Sequence, residues 1–137
     1  ALQTIVEDFA MSEGREKLEL LLQFSESLPP LPDWLVGQSD SMQQVHECMT
    51  PIFVAAEAQN GILHYYFDAP PESPTVRGFA EIMRQGLDGS SPETVLSVPN
   101  DFYLQMGLQQ VLTGQRLNGI GAILAHMKRL AAEKLAA

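Results

Sequence analysis

This chain carries one sulfur nucleophile. Cys48 is the only cysteine among 137 residues. It lies within Met42–Phe53, Met-Gln-Gln-Val-His-Glu-Cys-Met-Thr-Pro-Ile-Phe. Its chemistry would be that of a thiolate, set by ionised fraction, nucleophilicity and access. A free cysteine ionises at about 8.5, so only a minority is thiolate near neutrality. Polar neighbours, His46, Glu47 and Thr50, argue for an exposed connection rather than the small buried hydrophobe that a lone cysteine ordinarily is. If a strand ran through to Cys48, His46 and Cys48 would share a face, and the imidazole could assist the thiolate. Glu47 acts in the opposite sense, because an adjacent carboxylate disfavours a second negative charge. Arg116 is the other candidate. It falls in the first turn of a terminal helix, where a cation opposes the macrodipole by roughly a few tenths of a kcal/mol. A specific carboxylate partner, in the chain or across an interface, would offset that.

Other chemistries lack their residues. There is no Cys-x-x-Cys, no His-Glu-x-x-His, no phosphate-binding glycine loop and no Gly-x-Ser-x-Gly elbow. A zinc or cluster site needs several soft ligands together. His46, His64 and His126 are scattered and read as surface or satisfied core histidines. A peroxide-sensing thiol usually wants a low pKa and a resolving partner, and Glu47 and the missing second cysteine count against it. The net charge of −9 disfavours nucleic acid and anionic membrane as partners. No apolar run approaches the ~18 residues of a membrane span. Ala1 to Met11 lacks the basic and apolar regions of a secretory signal. A chain with one cysteine fits a reducing, cytoplasmic compartment.

The elements that must position Cys48 are legible from pattern. Thr4 with Glu7 predicts a capping box on a short first helix, and Ser12 predicts the cap of a longer one. Leu18, Leu21, Leu22 and Leu28 share a stripe that Ser25 completes and Leu20 and Phe24 widen. Pro29-Pro30 ends it. Trp34, in the following connection, is expected to anchor over the core. Met42 to Glu47 predicts a short strand before the Cys48 turn. Pro51 to Ala58 predicts a second, with Ile52, Val54 and Ala56 on one face. Asn60-Gly61 predicts a type I′ hairpin into Ile62 to Asp68. Ser73-Pro74 and Ser91-Pro92 read as helix starts, and Gly86 as a C′ glycine. Pro99 closes the second of these, and a further helix runs from Asn100 to near Gly107. Thr113 caps the terminal helix, whose inner face is Leu117, Ile120, Leu124, Met127 and Ala131. The expected architecture is one α+β domain over residues 1–137, with a three-stranded antiparallel sheet covered on one face by helices.

Two segments carry a resemblance. Val45-x-x-Cys48 followed by Ile52-Phe53 resembles the cysteine loop of the SufE family of sulfur acceptors, usually written Val-x-Gly-Cys with a Val-Trp pair four and five residues on. Thr113-Gly114-Gln115-Arg116-Leu117-Asn118-Gly119 is similar to that family's Ser-Pro-x-Arg-x-x-Gly segment. The likeness runs from about Asp8 to the C-terminus, in order and spacing. It implies the fold shared with IscU-type cluster scaffolds, and a partner: a pyridoxal-phosphate cysteine desulfurase of the SufS type. Cys48 would take sulfur as a persulfide and pass it to an iron–sulfur assembly scaffold. The chain would have no cofactor of its own, the pyridoxal phosphate belonging to the partner. The alternative is an adaptor that activates the desulfurase through its surface, with Cys48 incidental. The resemblance also implies a cysteine tucked toward an apolar cavity, for which Met42, Val45, Met49 and Ile52 offer covering material. Two positions depart from the pattern: Glu47 stands where glycine is usual, and Phe53 where tryptophan is.

Overall fold

Apolar residues alternating along two consecutive segments build the sheet that carries the cysteine loop. The computed structural model of the chain describes residues 1–48 and 50–136, so Met49 lies outside the described residues. The elements are α1 (Leu2–Met11), α2 (Arg15–Ser27), β1 (Gln43–Val45), β2 (Ile52–Gln59), β3 (Ile62–Asp68), α3 (Pro74–Leu87), α4 (Pro92–Ser97) and α5 (Gly114–Ala136). The stretch expected to form a helix after Asn100 is instead a 3₁₀ segment, Phe102–Met106, which Gly107 ends in the left-handed conformation.

The sheet is antiparallel in the order β1-β2-β3. Asn60 and Gly61 both have positive φ, 54° and 83°, as a type I′ hairpin demands. The register pairs Val45 with Ile52, Gln43 with Val54, and Val54 with Phe67. Gln43, Val45, Ile52, Val54, Leu63, Tyr65 and Phe67 therefore share the inner face. Helices α3 and α5 cover that face, and Tyr65 donates its hydroxyl to the Met127 carbonyl at 3.0 Å. The outer face is only partly covered, by Leu31, Leu35 and Met42 packed on Phe53, Ala55 and Tyr66. Trp34 belongs there. It meets the Tyr66 ring edge-to-face at 5.4 Å and stays 56% exposed, so it is not the core anchor its size suggests. The free edge of β3 is closed by the α3–α4 connection: Asp88 accepts from the Tyr65 amide at 2.8 Å, and Leu63 bridges to Ser90.

The N-terminal third departs from the caps expected of it. Thr4 and Glu7 lie inside α1, which begins at Leu2 without a side-chain cap. Ser12 closes α1, donating to the Asp8 carbonyl at 2.9 Å. Gly14, at φ 47°, precedes α2. On α2 the buried line is Lys17, Leu21, Ser25 and Leu28, while Leu18 and Leu22 face solvent. Lys17 is satisfied by two carbonyls, Phe9 at 2.5 Å and Met106 at 3.1 Å. Phe9 lies in the last turn of α1 and Met106 ends the 3₁₀ segment, and the C-terminal end of a helix favours a cation. Gly86 is no cap. It lies within α3, where an added Cβ would come within 2.8 Å of Leu2, and the left-handed turn falls at Gly89.

Gly78 is the tighter of the two helix crossings on α3. A Cβ there would stand 2.6 Å from Leu21 Cδ1 and 2.7 Å from the Leu21 carbonyl oxygen. The carbonyl is backbone and cannot rotate away, so α2 would have to shift. Gly78→Ala is expected to destabilise the fold by about 1–3 kcal/mol, as overpacked cores do. Urea melting checks this, and a variant as stable as the parent would contradict it.

Candidate functional site

β1 stops at Val45, and His46–Glu47 turns the chain before Cys48. The strand therefore does not carry His46 and Cys48 onto one face. His46 is exposed, and the turn swings the thiol inward. Cys48 is 7% exposed and belongs to the main core cluster. The polar flanks suggested exposure; the side chain is sheltered. Its Sγ lies 3.8 Å from the Gly119 carbonyl of α5, a weak S–H donor against a weak geometry.

Next to the thiol is a cavity of about 340 Å³. Its walls come from the cysteine loop (Cys48, Thr50), the start of α3 (Ser73 to Val76, with Phe79) and the start of α5 (Gln115, Arg116, Gly119), with Glu72 at the edge. Pro74 at the first position of α3 and Thr113 ahead of α5 explain why two helices begin here. The Thr113 hydroxyl accepts from the Arg116 amide at 3.3 Å, as the capping pattern predicted. Ser73 donates its hydroxyl to Thr50 Oγ1 at 3.0 Å, tying the far side of the loop to α3.

Arg116 and Cys48 thus line one cavity. The expected carboxylate partner is not found among the described residues. Arg116 donates Nη1 to Thr75 Oγ1 at 3.3 Å and pairs with no carboxylate among the described residues. Its guanidinium is exposed at the rim.

Glu47 has a partner that sequence reasoning did not supply. Its carboxylate accepts from His126 Nε2 at 3.0 Å, and Nδ1 of the same ring meets Gln43 Oε1 at 2.5 Å. His126 is 4% exposed, a satisfied core histidine. No local pattern marks the pair: β1 ends at Val45 before the turn, and His126 lies 79 positions from Glu47. The His126 hydrogen bond and the backbone hold the Glu47 carboxyl below the usual range. The thiol moves the other way. Burial first, then the Glu47 charge, pushes Cys48 from an ordinary 9.0 up to about 11. Among the described residues, no three His, Cys, Asp or Glu side chains converge as metal ligands.

Fold and site together define an α+β protein that shelters a single neutral thiol at the end of a small sheet, beneath the starts of two long helices. The profile of the SufE family, an Fe-S metabolism associated domain, matches residues 3–131. An uncharacterized SufE-like protein of Mycobacterium tuberculosis is 42% identical over 129 residues, covering 93% of this chain and 89% of that one. The Arabidopsis thaliana "SufE-like protein 1, chloroplastic/mitochondrial" is 29% identical over 134 residues, 95% of this chain and 34% of the relative. A hypothetical protein from Thermus thermophilus, solved in solution, superposes with a TM-score of 0.87 at 36% identity, covering 99% of this chain and 96% of that one. The chain belongs to the SufE family and is associated with iron–sulfur metabolism. No helix among the described residues is long and apolar enough to cross a membrane.

A pKa near 11 leaves roughly 1 thiol in 1,000 ionised at pH 8, against about 1 in 10 for an ordinary one at 9.0. Iodoacetamide is expected to label Cys48 about 100-fold more slowly in the folded protein than in denaturant at pH 8. The native rate should keep rising about tenfold per pH unit past 9. Equal rates in the two states, or a native profile that levels off at 9, would contradict a sheltered, neutral thiol.

Proposed function

We propose that the protein is a persulfide acceptor that activates a SufS-type cysteine desulfurase and relays sulfur to an iron–sulfur assembly scaffold. The observation that carries this reading is the convergence of Cys48 and Arg116 on one cavity at the loop. Membership of the family supports the iron–sulfur context. The thiolate of Cys48 attacks the outer sulfur of the desulfurase's cysteine persulfide. A new Cys48 S–S bond forms, the desulfurase S–S bond breaks, and the electron pair leaves on the desulfurase cysteine as thiolate. The sulfur atom moves between two cysteines with no external oxidant or reductant.

Burial is the largest cause of the raised thiol pKa. A desulfurase that binds the loop with Cys48 turned out into its own active site therefore lowers that pKa by the act of opening. It gains differential binding energy only in the open form, which is what shifts the population. Arg116 at the rim is placed to contact the partner. The setting expected is a reducing, cytoplasmic one.

Cys48→Ser is expected to keep the fold and abolish stimulation of the desulfurase. Intact mass after incubation with desulfurase and cysteine should show one added sulfur on the parent and none on the variant. Full stimulation by Cys48→Ser would replace this reading with that of an adaptor whose thiol is incidental.

Arg116→Ala removes an exposed cation, so its effect on stability should stay near the ~0.5 kcal/mol of a surface substitution. Stimulation should nevertheless weaken, seen as a higher concentration needed for half-maximal effect. A variant that stimulates like the parent returns Arg116 to an ordinary surface arginine.

A further inference from the structure

We infer that His126 is a positioning residue, a clasp on α5 that holds the cysteine loop in its sheltered position through Glu47. The functional consequence, control of when Cys48 is presented, rests on the relay reading above; the clasp itself does not.

The geometry is specific to the loop. His126 grips the chain at two points on one side of the thiol, Gln43 inside β1 and Glu47 in the turn directly before Cys48. The His126 side chain is 5% exposed, whereas that of Glu47 is 57% exposed. The carboxylate therefore reaches in from solvent to an anchored ring. At Nδ1 the Gln43 amide offers its oxygen or, rotated, its NH2, so both ring nitrogens are partnered in either arrangement. Gly119, which receives the thiol, and His126 are two turns apart and so lie on the same side of α5. One helix thus supplies both the floor under Cys48 and the hold on its neighbour. The second tether, Ser73 to Thr50, is a neutral hydroxyl pair. A hydrogen bond to a carboxylate is about twice as strong as a neutral one, so the His126 contact dominates. Cys48 cannot swing far outward while Glu47 stays on His126, because the two are adjacent in the chain.

Paired substitutions separate a clasp from general loosening. In His126→Asn the amide sits near the Nδ1 position, so it can meet Gln43 but falls short of Glu47. In His126→Gln the amide reaches the Nε2 position and can donate to Glu47. Both bury a polar amide at one core site. Iodoacetamide labelling of Cys48 is measured on the free protein, with urea melts alongside. The expected result is labelling at least about tenfold faster in His126→Asn and within about threefold of the parent in His126→Gln. Glu47→Ala, at an exposed side chain, should also speed labelling, partly because its charge no longer opposes the thiolate. The double variant isolates the clasp: once His126 is Asn, removing Glu47 should add only the charge effect, less than it adds in the parent. Equal acceleration by Asn and Gln, or an effect of Glu47→Ala that is the same in both backgrounds, overturns the inference. Should His126→Asn not fold, a Glu47→Ala protein that labels no faster than the parent overturns it alone. No desulfurase is present in these measurements, so they stand or fall apart from the Cys48→Ser test.

Discussion

The removal of Cys48 from water is the constraint to which the surrounding elements answer. A thiolate is stabilised by water, so the buried form stays protonated and unreactive. Three things keep water away. The turn at His46–Glu47 directs the side chain inward, α5 provides the surface at Gly119, and Phe79 of α3 packs against the same glycine. A thiol with an ordinary pKa at the same place in the chain would be open to any soft electrophile in solution. Under the proposed relay, a change of loop position is what restores access and ionisation together.

That shelter depends on how closely the helices approach. α3 is covered on its far side by α1 and α2, and both crossings rest on glycine: Gly86 under Leu2 and Gly78 under Leu21. With α3 held there, its first turn and the first turn of α5 meet at the cavity. Two helix N-termini bring partial positive charge to the rim. Arg116 adds a full charge where the macrodipole opposes it. Such a cation gains little from the dipole, and among the described residues its side chain hydrogen-bonds only the neutral Thr75 hydroxyl. The arrangement leaves the guanidinium largely unspent for an anionic group brought by something else.

Sequence pattern was a good guide wherever one periodic face meets one core. Ile52, Val54 and Ala56 on one face of β2, the Asn60-Gly61 turn, and the inner face of α5 are all as alternation and helical spacing predict. It was a poor guide where competition decides. Along α2 the expected stripe included Leu18 and Leu22, which face solvent, while the buried line takes in Lys17, because two carbonyls from different segments accept from its ammonium there. Ser12 could cap the helix before it or the one after, and residue type does not say which. Gly86 has the composition of a cap, yet its role is a close approach by a chain segment more than 80 positions away in Leu2. The thiol's neighbours showed the same limit. Polar flanks described the surface of the turn correctly for His46 and Glu47, but not the direction of the side chain between Glu47 and the strand. His126 was read as a surface or satisfied core histidine and is the latter; its partners are 79 and 83 positions distant, beyond any local pattern.

Glu47 shows why the departure from glycine is tolerated. Two objections attach to a glutamate beside a reactive cysteine: lost backbone freedom and an unwelcome charge. The first has no force here, because Asn60 is the one non-glycine residue with positive φ among those described, so the backbone at Glu47 asks nothing that only glycine can give. The second is real but redirected. The carboxylate is turned onto His126, which lowers its own pKa, and its effect on the thiol is smaller than that of burial. A charge that disfavours the thiolate is harmless while the thiol is meant to be silent. The Glu47 side chain is already 57% exposed in the sheltered form, so water screens its charge there and burial, not the carboxylate, dominates at the thiol.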